Sequence, residues 1–394
     1  MKYLHIKILL LLSTLSIQSV EAIPAFARQY QFQCSGCHDA VPMLNPAGQM
    51  FLNNGYRFSG GDKTALSRML TDSEHHLPMA IELSAGASMD SSVDGERNSE
   101  QMVMARLWVA GSLTESTSLF TRLAVGQQQQ KDTSSSISDG DGGIGATTMG
   151  IFGAGPKAVL QYNPNTNQSI RLGAFSPISH LSNIGRMGEM RIQANSQSLY
   201  TDPFQLTEIR SLAGGEYQTH HGNFSLLLAA GSPFRPGNLA TDTPPSQRGP
   251  NSPWEGREVD LGMKYTISTT LQIALFANNL EVDDADDIEI ERHSRLLSLE
   301  YRTGSLIITP TLIYSLSDGT GDEDINGIVI DGSYQLQSGN WFTASIQNDS
   351  NSEDSGAIIN YQHTFTQRSS ARFALSTNTL DSESAMAITF YHRL

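Results

Sequence analysis

The sequence predicts an all-β chain: a transmembrane barrel of about sixteen antiparallel strands, preceded by a small unit that is mostly helical or irregular. Three observations lead there. From Pro78 onward, residue character alternates with a period of two between turn signals. Only 39% of the 394 residues are hydrophobic, which suits a barrel whose lipid face alone must be apolar. After the N-terminal leader, no segment approaches the ~18 consecutive apolar residues of a spanning helix.

The first element is an export leader over residues 1–22. Lys2 and Lys7 precede an apolar run from Ile8 to Ile17, and Val20-Glu21-Ala22 offers a small-residue cleavage site, so the mature chain is expected to start near Ile23. The net charge of −15 excludes nucleic acid as a partner, because binding the phosphate backbone demands a basic face.

The second element spans residues 23–77. Both cysteines of the chain lie here, in Cys34-Ser35-Gly36-Cys37-His38. Cys-x-x-Cys-His is the attachment pattern of a c-type haem: two thioethers hold the porphyrin, and the adjacent imidazole ligates the iron. A thioredoxin-like dithiol calls for a surrounding βαβ pattern, which is missing. A disulfide between residues three apart is sterically poor and leaves His38 without a role. One covalent haem c is therefore expected, bound by Cys34 and Cys37, with His38 as the proximal ligand and hence the metal-binding residue. Asn45 reads as a helix N-cap with Pro46 at the first helical position, and Gly55 as the stop. Met43, Leu44, Ala47, Met50 and Phe51 are expected on one face. About 55 residues bury little core unaided, so an apolar porphyrin is a plausible packing surface for them. The distal ligand is open: Met79 is a candidate for its Pro-Met context and its distance from His38, while Met43, Met50, Met69, His75 and His76 remain alternatives. Met79 is equally readable as the first residue of strand one.

The third element, residues 78–394, is the barrel. Val103, Ala105, Leu107 and Val109 share one face against Met104, Arg106 and Trp108 on the other. Leu297, Leu299 and Tyr301 oppose Ser298, Glu300 and Arg302 in the same way. Sixteen such segments start near residues 79, 101, 117, 157, 169, 208, 223, 258, 271, 292, 306, 327, 341, 357, 371 and 384. Tight turns at 113–116, 163–168, 219–222, 267–270, 303–305, 337–340 and 366–370 alternate with longer connections, among them 88–100, 127–149, 176–207, 231–256, 280–291 and 316–326. An outer-membrane barrel has this segregation, with short periplasmic turns and longer outer loops. A soluble sandwich or propeller has no reason for it. An even strand count returns both termini to the short-turn side. Arg106 and Arg122 are expected in the lumen, and His220-His221 in an exposed turn. The carboxylates around Glu281–Glu291 and Asp318–Asp324 could gather divalent cations, Fe²⁺ included, although solvated outer loops account for them as well.

Pro24-Ala25-Phe26-Ala27-Arg28-Gln29-Tyr30, the haem motif, Leu44-Asn45, Gly48, Phe51 and Asn54-Gly55-Tyr56-Arg57 together resemble the fused monohaem cytochrome–porins. The similarity is specific over residues 24–57 and architectural beyond Pro78. It implies a small cytochrome joined to a porin-like barrel of roughly sixteen strands in a bacterial outer membrane. The implied activity is electron transfer: one-electron uptake from extracellular Fe(II), or another reduced donor, with delivery to a periplasmic electron-carrier cytochrome. Two other functions stay open: a passive solute porin with a structural haem unit, and electron export to outside acceptors.

Overall fold

The computed structural model describes residues 26, 30, 36–38, 43–58, 79–91, 97–132, 147–150, 157–181, 211–234, 255–283, 289–318, 324–336, 340–350, 355–365, 369–378 and 384–393. The expected leader, Cys34, Met69, His75 and His76 lie outside these residues.

Among the described residues, two helices and seventeen strands follow in chain order. Helix α1 is Pro46–Asn53. The first strands are β1 (Met79–Ser91), β2 (Arg97–Ser112), β3 (Thr117–Asp132), β4 (Thr147–Gly150), β5 (Lys157–Asn165) and β6 (Gln168–Phe175). A one-turn helix α2, Ile178–Leu181, comes next. Then follow β7 (Ser211–His221), β8 (Phe224–Phe234), β9 (Glu255–Ser268), β10 (Leu271–Asp283), β11 (Glu289–Thr303) and β12 (Leu306–Asp318). The chain ends with β13 (Ile325–Gln335), β14 (Trp341–Asp349), β15 (Ser355–Thr364), β16 (Ser369–Asn378) and β17 (Ser384–Arg393).

All strands belong to one antiparallel sheet, and β1 pairs with both β2 and β17, which closes the ring. Strand β3 pairs with β4 over Gly126–Gln129 and with β5 over Thr117–Arg122. β4 and β5 thus share one position, and the barrel has sixteen. Every expected strand start lies within four residues of an observed one. Several of the expected long connections are longer than those found. Strands β1, β2 and β3 run 13, 16 and 16 residues, beyond the ~9–11 that cross a bilayer. The loops expected at 88–100, 280–291 and 316–326 accordingly shrink to 92–96, 284–288 and 319–324.

Burial is inverted relative to a water-soluble protein. Leu83, Val103, Leu228, Leu275, Leu312 and Ile346 are exposed, whereas Glu82, Arg122, Gln161, Glu216, Asp260 and Asp331 are buried. The apolar side of each strand therefore faces outward to lipid, and the polar side faces the lumen. The lumen wall is stitched across strands: Arg106 meets Glu82 at 2.7 Å, Arg171 pairs with Glu216, and the Asn278 amide donates to Glu258 and Asp260, both at 2.7 Å. Exposed aromatics ring the short-turn end: Tyr162, Phe224, Tyr265, Tyr301, Tyr334, Phe342 and Phe365 each lie beside a short connection. Such a girdle marks a membrane–water boundary.

One irregularity bears on the lumen. Pro310 sits inside β12, where it removes a ladder donor. The β11–β12 register is continuous from Glu291 to Ser298, resumes at Tyr301, and skips Leu299 and Glu300 opposite this proline.

The inverted burial has a measurable consequence. Leu297 is 37% exposed and its neighbour Ser298 is 2%. Leu297→Arg is expected to destabilise the barrel by about 2–4 kcal/mol in urea unfolding from lipid vesicles, because it sets a charge in the apolar band. Ser298→Ala is expected to cost far less.

Candidate functional site: a helix and a loop inside the barrel

Helix α1 and its described flanks, residues 43–58, sit within the lumen at the short-turn end. Asn45 caps α1 as its sequence suggests: the Gly48 N–H donates to Asn45 Oδ1 at 2.9 Å, and Pro46 takes the first helical position. Asn45 also grips the haem motif. Its backbone N–H donates to the Cys37 carbonyl at 3.0 Å, and its side-chain amide donates to the Gly36 carbonyl at 3.1 Å. Gly48 permits this approach, since a Cβ there would come within 2.1 Å of the Cys37 carbonyl oxygen. The helix ends at Asn53 with Asn54 as its C-cap, and Gly55 follows with a φ of 67° that favours glycine.

The buried face of α1 differs in part from the expected one. Phe51 and Leu52 are buried with Leu44 and Tyr56, and Phe26, Tyr30, Phe58 and Phe120 pack on them. Met43 is buried, but Met50 is 45% exposed. Met43 and Leu44 precede the helix, so the helical period does not extend through them.

Among the described residues, the strand side chains that α1 and its flanks touch belong to the lumen face. Met43 packs on Ile307 and Trp341. Arg302 donates to the Leu44 carbonyl at 3.2 Å and pairs with Glu300 at 2.6 Å. Gln161 and Asn163 both donate to the Asn53 carbonyl at 2.9 Å. The Tyr56 ring stacks on Phe120 at 5.5 Å, and Phe120 meets Trp108 edge-on at 6.0 Å. Arg57 donates to the Thr114 carbonyl at 3.4 Å. Burial pulls its guanidinium pKa below the ordinary value, while Tyr30 and Glu115 act in the opposite sense. These contacts come from β3, β5, β11, β12, β14 and the β2–β3 turn, so the unit is held from widely separated parts of the ring.

Two of the residues expected to bind haem, Cys37 and His38, lie beside this segment. His38 pairs with Leu44 in an isolated antiparallel bridge, and its Nδ1 lies 3.1 Å from the Met43 carbonyl oxygen. A carbonyl only accepts, so Nδ1 donates and the neutral ring keeps its lone pair on Nε2. Metal-binding histidines are commonly oriented this way. Cys37 is half-buried beside it. These residues fit a covalent haem, which Cys37, His38 and, from the motif, Cys34 would hold. Met79 opens β1 at the same end of the barrel, opposite Val109. Among the described residues there is no cluster of three or more His, Cys, Asp or Glu side chains suited to a metal ion.

A second lumenal element was not legible in the sequence. Residues after Phe175 were expected to begin an outer loop at 176–207. Instead Phe175, Ile178 and Leu181 turn inward and bury against Leu212, Leu227, Phe276, Leu296, Ile313 and Val329, all on the lumen face. Gly262 makes room, because a Cβ there would lie 2.7 Å from Leu181 Cδ2. Helix α2 also touches α1. The signal available in advance was a lapse in the pattern: Phe276, Leu296, Ile313 and Val329 are apolar where their lumen-side neighbours Asn278, Ser294, Ser315 and Asp331 are polar. Other expectations divide. Arg122 is buried in the lumen wall beneath Trp108, with its guanidinium carbon 5.3 Å from the ring. His221 is exposed as expected, but His220 is partly buried and bonds Ser225 at 2.8 Å. Of the acidic outer residues, Glu281 is in a strand and forms a two-pronged pair with Arg257.

No protein-family model matches the chain, and no curated relative does. Solved structures do. The OmpF porin of Salmonella typhi, determined in complex with daunomycin, superposes with a TM-score of 0.55 at 11% identity, over 81% of this chain and 97% of that one. A mutant Rh. blastica porin superposes at 0.49 and 8% identity, over 80% of this chain and all of the other. The first similarity establishes a porin-like barrel fold.

The Asn45 grip is testable. Asn45→Ala removes a cap worth about 1 kcal/mol and the side-chain hydrogen bond to the Gly36 carbonyl, while the backbone bond to Cys37 stays. It is expected to speed proteolysis of the N-terminal unit in vesicle-embedded protein while the barrel bands stay intact.

Proposed function

We propose that the protein is an outer-membrane barrel of the porin kind, whose basic property is passage of small polar solutes through a lumen narrowed by α1 and α2. The observation that carries this is the closed, inverted ring: apolar outside, polar within, with a porin-like fold. Planar-bilayer recordings and vesicle swelling test it. The intact chain is expected to give small conductance steps, and a chain lacking residues 23–77 much larger ones. Background conductance and no sugar uptake in both forms would overturn it.

A second reading has its own support: the Cys34-Ser35-Gly36-Cys37-His38 motif, with the His38 ring oriented by the Met43 carbonyl. On this reading the unit carries one haem c, and the protein moves single electrons across the outer membrane. The haem supplies a reversible one-electron couple. The chain's residues attach it, orient its ligand and shield it from bulk water. The donor inferred from the family resemblance is extracellular Fe(II), with a periplasmic cytochrome as acceptor. Haem-peroxidase staining of outer membranes should give a covalent band that Cys37→Ala weakens. Mixing purified protein with Fe²⁺ should reduce the haem band. An apoprotein from cells with intact haem maturation would end this reading. Met79 is the proposed distal ligand. Thioether ligation raises a haem potential, so Met79→Ala is expected to shift the midpoint downward, as read by redox titration; an unchanged midpoint would dismiss Met79.

A further inference from the structure

We propose that the barrel wall positions the haem's proximal ligand: Trp341, Ile307 and Arg302 hold the Met43–Asn45 segment against which His38 is oriented, and through it they set the redox potential. This rests on the haem-bearing reading above. Four contacts run in series. The Met43 side chain is buried between Ile307 of β12 and Trp341 of β14, at 1% exposure. The Met43 carbonyl accepts from His38 Nδ1 at 3.1 Å. The next carbonyl, Leu44, accepts from Arg302 at 3.2 Å, and Arg302 is itself fixed by Glu300. The N–H of that same Leu44–Asn45 peptide donates to the Cys37 carbonyl at 3.0 Å.

The segment is therefore a template gripped on one side by the wall and on the other by the motif. Within about 55 residues there is too little core to hold a ring rigidly, and the barrel supplies the missing rigidity. An imidazole whose Nδ1–H donates to a well-placed carbonyl is a more basic ligand at Nε2. A more basic ligand favours the ferric state, so a firm template lowers the potential and a loosened one raises it. Arg302 pulls on the Leu44 carbonyl and polarises the peptide toward Cys37, which tightens the same unit. Trp341, Ile307 and Arg302 act through Met43 and Leu44, and they are positioning residues.

The test uses the full haem-loaded chain in detergent, with the midpoint potential and the low-temperature EPR spectrum as readouts. Trp341→Ala empties the Met43 seat without changing charge. It is expected to shift the midpoint positively and to broaden the EPR signal, while Trp341→Phe stays close to the parent. The double variant Glu300→Gln/Arg302→Gln keeps the net charge and releases the Leu44 carbonyl, and is expected to shift the midpoint in the same direction. A matched control, Arg257→Gln/Glu281→Gln at the opposite end of the barrel, is expected to leave both readouts unchanged. Heat-modifiable migration on gels verifies that each barrel is folded. Haem-loaded, folded variants with the parent's potential and EPR spectrum would overturn the proposal while leaving the haem reading intact. An equal shift in the control would also overturn it. A parent protein without haem would remove the haem reading and this proposal together.

Discussion

Inside a bilayer no water is available to a backbone N–H or C=O, so each must be paired within the protein. The β1–β17 ladder meets that demand: ten residue pairs, from Glu82–Arg393 to Ser91–Ser384, join the first strand to the last. The rest follows from closure. A closed ring has an inside, and that inside can hold what lipid forbids. Buried Arg171, Glu216 and Asp260 are tolerable only there, paired and sheltered from lipid. Even Pro310, which breaks the ladder beside Leu299 and Glu300, stays within a ring otherwise bonded on both sides.

The lumen is not uniformly wet. Two inward elements use different chemistry to stay there. Helix α1 and its flanks are tied by hydrogen bonds to the Leu44 and Asn53 carbonyls, with Arg302, Gln161 and Asn163 as donors, and by aromatic contact through Tyr56 and Phe120. Helix α2 is too short to stand alone and is held by apolar burial, Leu181 being fully buried. The first arrangement keys a particular carbonyl to a particular wall residue. The second fills volume, and a substitution of similar size should disturb it less.

The barrel was legible because lipid imposes a strict rule on alternate residues. Leu297, Leu299 and Tyr301 read outward in the sequence and are outward in the structure. The rule stops where the strand leaves the lipid. Residues around Asp90 and Asn98 are polar on both sides, so pairing there left no periodic trace, and the outer ends of the ribbons β1–β2 and β10–β11 were read as loops. The cap at Asn45 and the stop at Gly55 were legible since both are local. The inward turn of Ile178 and Leu181 was not, because what buries it comes from strands β7 to β13, between about thirty and one hundred and fifty residues further along the chain. The exposed Met50 was misjudged for a simpler reason: the helical face was counted from Met43, three residues before the helix begins.

The two-residue period also fixes the height of the lumenal unit in the membrane. On three strands, a wall residue that holds the unit is next to an aromatic of the boundary girdle: Gln161 and Asn163 flank Tyr162, Arg302 follows Tyr301, and Trp341 precedes Phe342. The same short stretch of backbone anchors outward to the headgroup level and inward to the unit. The unit is thereby pinned level with one headgroup layer, and most of the ~25 Å apolar band lies to one side of it. Tunnelling decays exponentially over such a distance. On the haem-bearing reading, a redox centre at that depth would lie near one face of the membrane and couple poorly to anything fixed at the other. A reactant from the far side would have to travel along the lumen to meet it, so the flow of electrons would be governed by how far solutes can enter.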